Sequence, residues 1–184
     1  MTRGAALLVA VGATLIAFYV LMIKRPAMAV REALESAADR YGLPRHWLVA
    51  LGETESGLTL AALNDTGPDA LRGGSWGPTQ ISARTARAFG YTGPMTALRE
   101  NVHLAADLTA RMIAEGFAER SHQPDAPEIG PFKPFRYGTP ATFEDLLAIW
   151  NAGRSYAELD RRGSTMTTYI PRALEALAEI ESEV

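Results

Sequence analysis

Glu55 is a carboxylate where its helix should carry an apolar residue, and that misfit is the strongest chemical signal in the sequence. Residues 44–57 read as one short helix, with Pro44 suited to its first turn and Gly57 to a left-handed stop just past its end. At about 100° per residue, Trp47, Leu48 and Leu51 form one apolar stripe, which Glu55 continues as the i+4 partner of Leu51. Glu53 points to the opposite side. A carboxyl facing a core, at the negative end of a helix, is doubly discouraged from ionising. Such a group can donate a proton near neutral pH, as a general acid must. The structural alternative is a helix-end glutamate that is solvated or paired with an arginine.

Other chemistries have less support. There is no cysteine, so disulfides, thiolate metal sites and a cysteine nucleophile are excluded. His46, His103 and His122 lack metal-ligand spacing, and neither a metal nor a cofactor is expected. A net charge of -3, with no basic patch interleaved with aromatics, argues against a nucleic-acid partner. Gly73-Gly74-Ser75-Trp76-Gly77 satisfies G-x-S-x-G, but that motif needs a buried strand before it and a helix after it. Here turn-forming residues, from Asp65 to Arg72, precede it, so a serine-hydrolase reading is disfavoured.

The elements that must hold Glu55 are helices. Residues 30–41 form an amphipathic helix stopped by Gly42. Residues 64–77 are turn-rich, and Ser82 could cap a helix running to Phe89 before Gly90. The longest helix is predicted over 96–117, burying Leu98, Val102, Ala105, Leu108, Met112 and Ile113. Residues 121–142 hold five of the 11 prolines and cannot be helical. Their Phe132, Phe135 and Tyr137, interleaved with Lys133 and Arg136, could line a cleft, contact a partner, or pack onto the domain. Thr142 caps a helix over 143–151, and 168–183 forms the last. The expected class is all-α, with room for a small β-hairpin in the loop after Glu55.

The amino terminus carries 19 uncharged, mostly apolar residues, 5–23, flanked by Arg3 and by Lys24-Arg25. As a helix they span roughly 28 Å, close to a hydrocarbon core. A cleaved signal peptide has a shorter apolar region, and Lys24-Arg25 spoils the cleavage-like Ala27-Met28-Ala29. Residues 1–29 are therefore assigned as a single uncleaved membrane anchor, and 30–184 as one globular domain with 121–142 as an insertion loop. Lys24, Arg25 and Arg31 outnumber Arg3 and the terminal amine, which by charge alone favours a cytoplasmic carboxyl end.

Several segments recur in a telling order. Glu55-Ser56-Gly57 ends a helix, and Gly77-Pro78-Thr79-Gln80-Ile81 follows a Gly-rich loop. Asn101-Val102 opens a long helix, Ile149-Trp150-Asn151-Ala152-Gly153 closes another, and Tyr169-Ile170 begins the last. In this order and spacing, residues 31–180 resemble the soluble lytic transglycosylase domain, the goose-type-lysozyme-like family that cuts the glycan strands of peptidoglycan.

The resemblance implies a lysozyme-like fold with Glu55 as catalytic acid, and Ser56, Gln80, Trp150 and Asn151 as substrate-binding residues. It implies that Tyr169 hydrogen-bonds the catalytic carboxyl. Glu55 would protonate the β-1,4 bond between N-acetylmuramic acid and N-acetylglucosamine, then deprotonate the muramoyl C6 hydroxyl as it closes a 1,6-anhydro ring. The substrate supplies the nucleophile, so no second carboxylate is needed. A paired-carboxylate hydrolase would draw on Asp65 or Asp69 instead. The chain departs from the family where Pro78-Thr79 replaces Leu-Met and Trp150 replaces tyrosine. The loop from Leu58 to Trp76 is also longer than usual.

The implied substrate lies outside the cytoplasmic membrane, so the domain is expected on the cell-wall side despite the charge count. A phage lysis enzyme that begins tethered is the alternative, and an envelope machine or phage component is the candidate partner for the Pro-rich loop. The alternative of another class is a non-catalytic peptidoglycan-binding or envelope-assembly module.

Overall fold

Val30, Ala33, Leu34, Ala37 and Ala38 repeat at i, i+3, i+4, i+7 and i+8, and all five are buried. They line one face of α1 (Arg25–Tyr41), which Gly42 ends at φ +67°. The computed structural model describes residues 25–66, 73–120, 142–143, 146–147, 150 and 168–183. α1 begins five residues before the start expected at Val30, because Pro26 is accepted in a helix's first turn and the following Ala-Met-Ala continues it. The apolar stretch 5–23 lies outside the described residues, as do 121–141, Asp69 and Asn151. Among the described residues, no helix is long and apolar enough to cross a membrane.

α2 (Arg45–Ser56) buries Leu48 to Gly52 without a break, because α1 and α6 (Ile170–Ser182) both pack against it. Pro44 stands just outside α2, at φ −59° and ψ 128°, and not within its first turn. A methyl at Gly52 would lie 2.9 Å from Leu34 Cδ1 and 3.0 Å from Leu58 Cδ2, so a hydrogen there lets α2 approach both. α6 buries Ile170, Ala173, Ala176 and Ile180, and Pro171 occupies its first turn. Residues 168–169, expected as its first turn, form a wider π turn ahead of it.

The helix expected over 96–117 is two. α4 (Ala97–Glu100) and α5 (Val102–Arg120) meet at Asn101, which is extended at φ −119° and ψ 100°. Its Oδ1 accepts from Leu104 N at 3.0 Å and its carbonyl from Ala105 N at 3.1 Å, the pattern of a side-chain cap that starts α5 afresh. α5 has apolar residues on two sides because it stands between two cores. Ala106, Ala110 and Ile113 join α1, α2, α6 and Phe143, Leu146 and Leu147 in the larger cluster. Ala105, Leu108 and Met112 join Ile81, Ala86 and Leu98 in the smaller. Phe143, Leu146, Leu147 and Trp150 are helical, as their spacing predicts, and Trp150 borders both clusters.

Between α2 and α4 the chain makes a three-stranded antiparallel sheet: β1 (Leu63–Asn64), β2 (Ser75–Trp76) and β3 (Ile81–Ser82). Leu63 pairs with Trp76 and Asn64 with Ser75, then Ser75 with Ser82 and Trp76 with Ile81. The fold is thus mainly helical with a small sheet. Strands of two residues are too short to alternate visibly, which is why only a hairpin was expected. From Ser82, whose Oγ accepts from Thr85 N at 3.1 Å, the chain enters α3 (Ala83–Ala88), two residues before Gly90 turns it at φ +77°.

Candidate active site

Glu55 is half-buried in the last turn of α2, between exposed Glu53 and the end of the helix. Gly57 closes α2 at φ +61°, its N–H reaching Glu53 O at 2.9 Å, and Leu58 N reaches back to Gly52 O at 3.3 Å. Directly after this stop, Leu58 itself holds φ +55°. The phenol of Tyr169, at the entrance to α6, donates to Glu55 Oε1 at 2.5 Å across 114 residues of sequence. Because α2 packs along α6, the carboxyl and the phenol meet where the end of one helix faces the start of the other.

Electrostatics at this contact favour a neutral phenol. Burial, then the charge of the Glu55 carboxylate, then the hydrogen bond to it, push the Tyr169 hydroxyl well above the usual phenol range, against a smaller opposing effect of Arg172. Tyr169 therefore remains a hydrogen-bond donor throughout the range in which a carboxyl changes protonation state.

The turn 77–80 joins β2 to β3 and is fastened to the Glu55 helix end through Ser56. Gly77 has φ +77°, and its N–H donates to Ala62 O at 2.9 Å. A Cβ at Gly77 would lie 2.5 Å from Leu98 O, so only glycine fits. Gln80 takes φ +53°, with its N–H and its Nε2 both donating to Gly77 O, at 3.1 and 2.9 Å. Leu58 and Gln80 are the two non-glycine residues with positive φ among the described residues, and each adjoins an element of this site.

Ser56 Oγ donates to Pro78 O at 2.7 Å and accepts from Thr59 N at 3.0 Å. Its one proton is thus committed within the protein, and its geometry is that of a clasp between the Glu55 helix end and the turn. Thr79 likewise turns inward: it is fully buried and hydrogen-bonded to Thr109 on α5 at 2.7 Å. Sequence reasoning passed over Thr109; a hydroxyl between Leu108 and Ala110 on a helix with apolar residues on two sides was the available signal.

Arg99 on α4 was also missed. Its Nε donates to Ala61 O at 2.8 Å and its guanidinium stands 5.8 Å from the centre of the Trp76 ring, tying the sheet to α4. Trp76 Nε1 donates to Gly73 O at 2.8 Å. Trp47 and Phe143 meet at 6.0 Å between ring centres and join α2 to the helical residues that include half-buried Trp150.

The structure therefore brings Glu55 to Tyr169, and Ser56 to the turn that carries Gln80. Trp150 stands where the two cores adjoin, and Asn151 lies outside the described residues. Ser75 of the G-x-S-x-G match is buried in the middle strand of an antiparallel sheet, and its strand leads into a turn and not into a helix, which is not a nucleophile elbow. Asp65 is exposed just beyond β1. Among the described residues, no three His, Cys, Asp or Glu gather to hold a metal. Comparison with protein-family models, with curated proteins and with solved structures returns no match.

Proposed function

We propose that this protein is a membrane-anchored peptidoglycan lytic transglycosylase of lysozyme-like fold, with Glu55 as its general acid and then its general base. The observation that carries the reading is the 2.5 Å hydrogen bond from Tyr169 to Glu55, which gives one carboxyl a dedicated donor from a distant part of the chain. The phenol donates to Oε1 and so helps to fix the orientation of the carboxyl. A carboxyl oriented in this way suits proton delivery to a glycosidic oxygen. After bond cleavage the same group, as carboxylate, accepts the proton of the muramoyl C6 hydroxyl while that oxygen closes on C1. The positive charge developing at C1 is discharged by the substrate's own oxygen, and no second carboxylate takes part.

The strained turn supports the reading. Holding Gln80 at φ +53° costs about 1 kcal/mol or more, and such strain concentrates at working sites. The turn's internal bonds engage the backbone N–H and one Nε2 hydrogen of Gln80, and its Oε1 can serve as the acceptor for an acetamido N–H of the glycan. Ser56 acts as a positioning residue, and through the family resemblance Trp150 is assigned to the cleft wall and Asn151 to holding a sugar or acetamido group. The substrate's location puts the domain on the cell-wall side, tethered through residues 5–23.

The test is product analysis with the full-length protein in detergent on purified sacculi. Mass spectrometry should find 1,6-anhydro muropeptides, and Glu55→Gln should release them about 10²–10⁴-fold more slowly. Reducing-end products without the anhydro ring would make the enzyme a hydrolase. Binding to sacculi with no release would make it a non-catalytic module.

A further inference from the structure

Two threonine hydroxyls are sealed inside the protein behind the turn. Thr79 and Thr109 are both fully buried, with 2.7 Å between their oxygens. Thr109 Oγ1 also lies 2.8 Å from Ala105 O, one helical turn back on α5. A carbonyl can only accept, so Thr109 spends its proton on Ala105 and Thr79 must donate to Thr109. The chain of donors therefore has one direction: turn, to α5 hydroxyl, to α5 backbone.

An apolar pair of the same shape would fill this space as well. Replacing both partners of a buried hydrogen bond with matched apolar groups is close to neutral for stability, whereas the polar pair fixes one mutual arrangement. A valine ring of contacts would tolerate small slides of the turn along α5. A 2.7 Å hydrogen bond would not.

What the arrangement fixes lies one residue away on each side. Pro78 O receives the Ser56 hydroxyl at 2.7 Å, and Ser56 follows Glu55. Gln80 carries the left-handed φ. The turn has a third fastening at Gly77, whose N–H donates to Ala62 O and where an added Cβ would lie 2.5 Å from Leu98 O. Gly77 sets where the turn starts, and Thr79 sets its rotation about that point. With Pro78 and Gln80 on either side of Thr79, one rotation moves both the clasp on the Glu55 helix end and the strained glutamine.

We infer that Thr79 and Thr109 are positioning residues: their hydroxyl pair orients the 77–80 turn, and through Ser56 the Glu55 carboxyl, without adding to the stability of the fold. This rests on Glu55 being the acid of the proposed reaction. It concerns a pair of residues at which Thr79 stands where the resembled family carries methionine.

The experiment compares the wild type with the T79V/T109V double variant and with T79S/T109S, each full-length in detergent. Three quantities are measured: thermal midpoint, kcat on sacculi, and the protonation midpoint of the Glu55 carboxyl by 13C NMR, assigned by its loss in Glu55→Gln. The double valine variant should melt at or above the wild-type temperature. Its kcat should fall about tenfold or more, since small misplacements of a reacting group are costly. Its Glu55 midpoint should move, and the serine pair should restore both.

An unchanged kcat and an unchanged Glu55 midpoint would overturn the inference. So would a large fall in melting temperature, because the pair would then be a stabilising element. If the wild type turns over no glycan, the functional reading fails by itself, and the Glu55 midpoint still decides whether the hydroxyl pair governs that carboxyl.

Discussion

The Tyr169 phenol and the Glu55 carboxylate meet at 2.5 Å although 114 residues separate them, and α2 and α6 pack together so that the contact forms at their facing ends. Two substitutions separate the parts of this contact. Glu55→Gln keeps an acceptor for the phenol but has no proton to exchange, so turnover should fall about 10²–10⁴-fold with the fold intact. Tyr169→Phe keeps the carboxyl and removes its donor. A hydrogen bond to a charged group is worth about 1.5–3 kcal/mol, so kcat should fall about ten- to a hundredfold if all of that is felt in the transition state. Anhydro-muropeptide release rates, with circular dichroism as the control for folding, check both.

The same contact makes stability sensitive to alkali. The Tyr169 phenol is held well above its usual range by burial first, then by Glu55. A group whose folded value is raised binds more protons in the folded state than in the unfolded one, so stability falls as pH climbs. The contribution is fully present below about pH 10, the unfolded phenol value, and is lost as pH rises through the folded value. Tyr41, raised by burial and by Asp107, acts with the same sign and remains in both proteins compared. Urea midpoints measured from pH 8 to pH 11 should fall more steeply for the wild type than for Tyr169→Phe. Parallel curves would mean that the phenol is not coupled to folding.

The helices were legible because periodicity is local. Val30 to Ala38 repeat at helical spacing, Gly57 stops α2, and Ser82 caps α3 as expected. Glu55 stood out as a carboxylate on the wrong face. The break at Asn101 was not legible from periodicity, because the apolar pattern runs through it from Leu98 to Ala105 and only the side-chain cap interrupts it. The clasp made by Ser56 was not legible because its partner, Pro78 O, is a backbone atom 22 residues away that no side-chain pattern announces. The pairing of Thr79 with Thr109 was hidden for the same reason, since neither residue's sequence neighbourhood indicates the other. The Glu55–Tyr169 pair was reached through resemblance to a family, since nothing local to either residue points to the other.

Gly77 should be the least replaceable residue of the turn. Alanine there must hold φ +77°, which costs about 1–3 kcal/mol by itself. Its Cβ would also stand 2.5 Å from the Leu98 carbonyl, a backbone atom that cannot rotate aside. Gly77→Ala should therefore lower stability by more than the conformational cost alone, while Gly42→Ala, at a similar φ of +67° but with open space around it, should show only that cost. Urea denaturation of the two variants measures the difference, and equal losses would remove the close approach to Leu98 as the reason for glycine.

Gln80→Gly sets strain against contact. Glycine accepts the left-handed conformation freely, a gain of about 1 kcal/mol, but the variant loses the Nε2 bond to Gly77 O, worth about 0.5–1.5 kcal/mol. The two nearly cancel, so the melting temperature should hardly move. Function should not be spared in the same way. If the amide oxygen of Gln80 receives an acetamido N–H, removing the side chain leaves that donor without its partner in a closed complex. KM for a soluble glycan fragment should then rise about tenfold, the equivalent of a single hydrogen bond, while kcat falls less because Glu55 and Tyr169 are untouched. Steady-state kinetics on defined muropeptide oligomers separates the two constants. An unchanged KM would show that the strained glutamine serves the turn alone, and would move the search for the acetamido contact to another wall of the cleft.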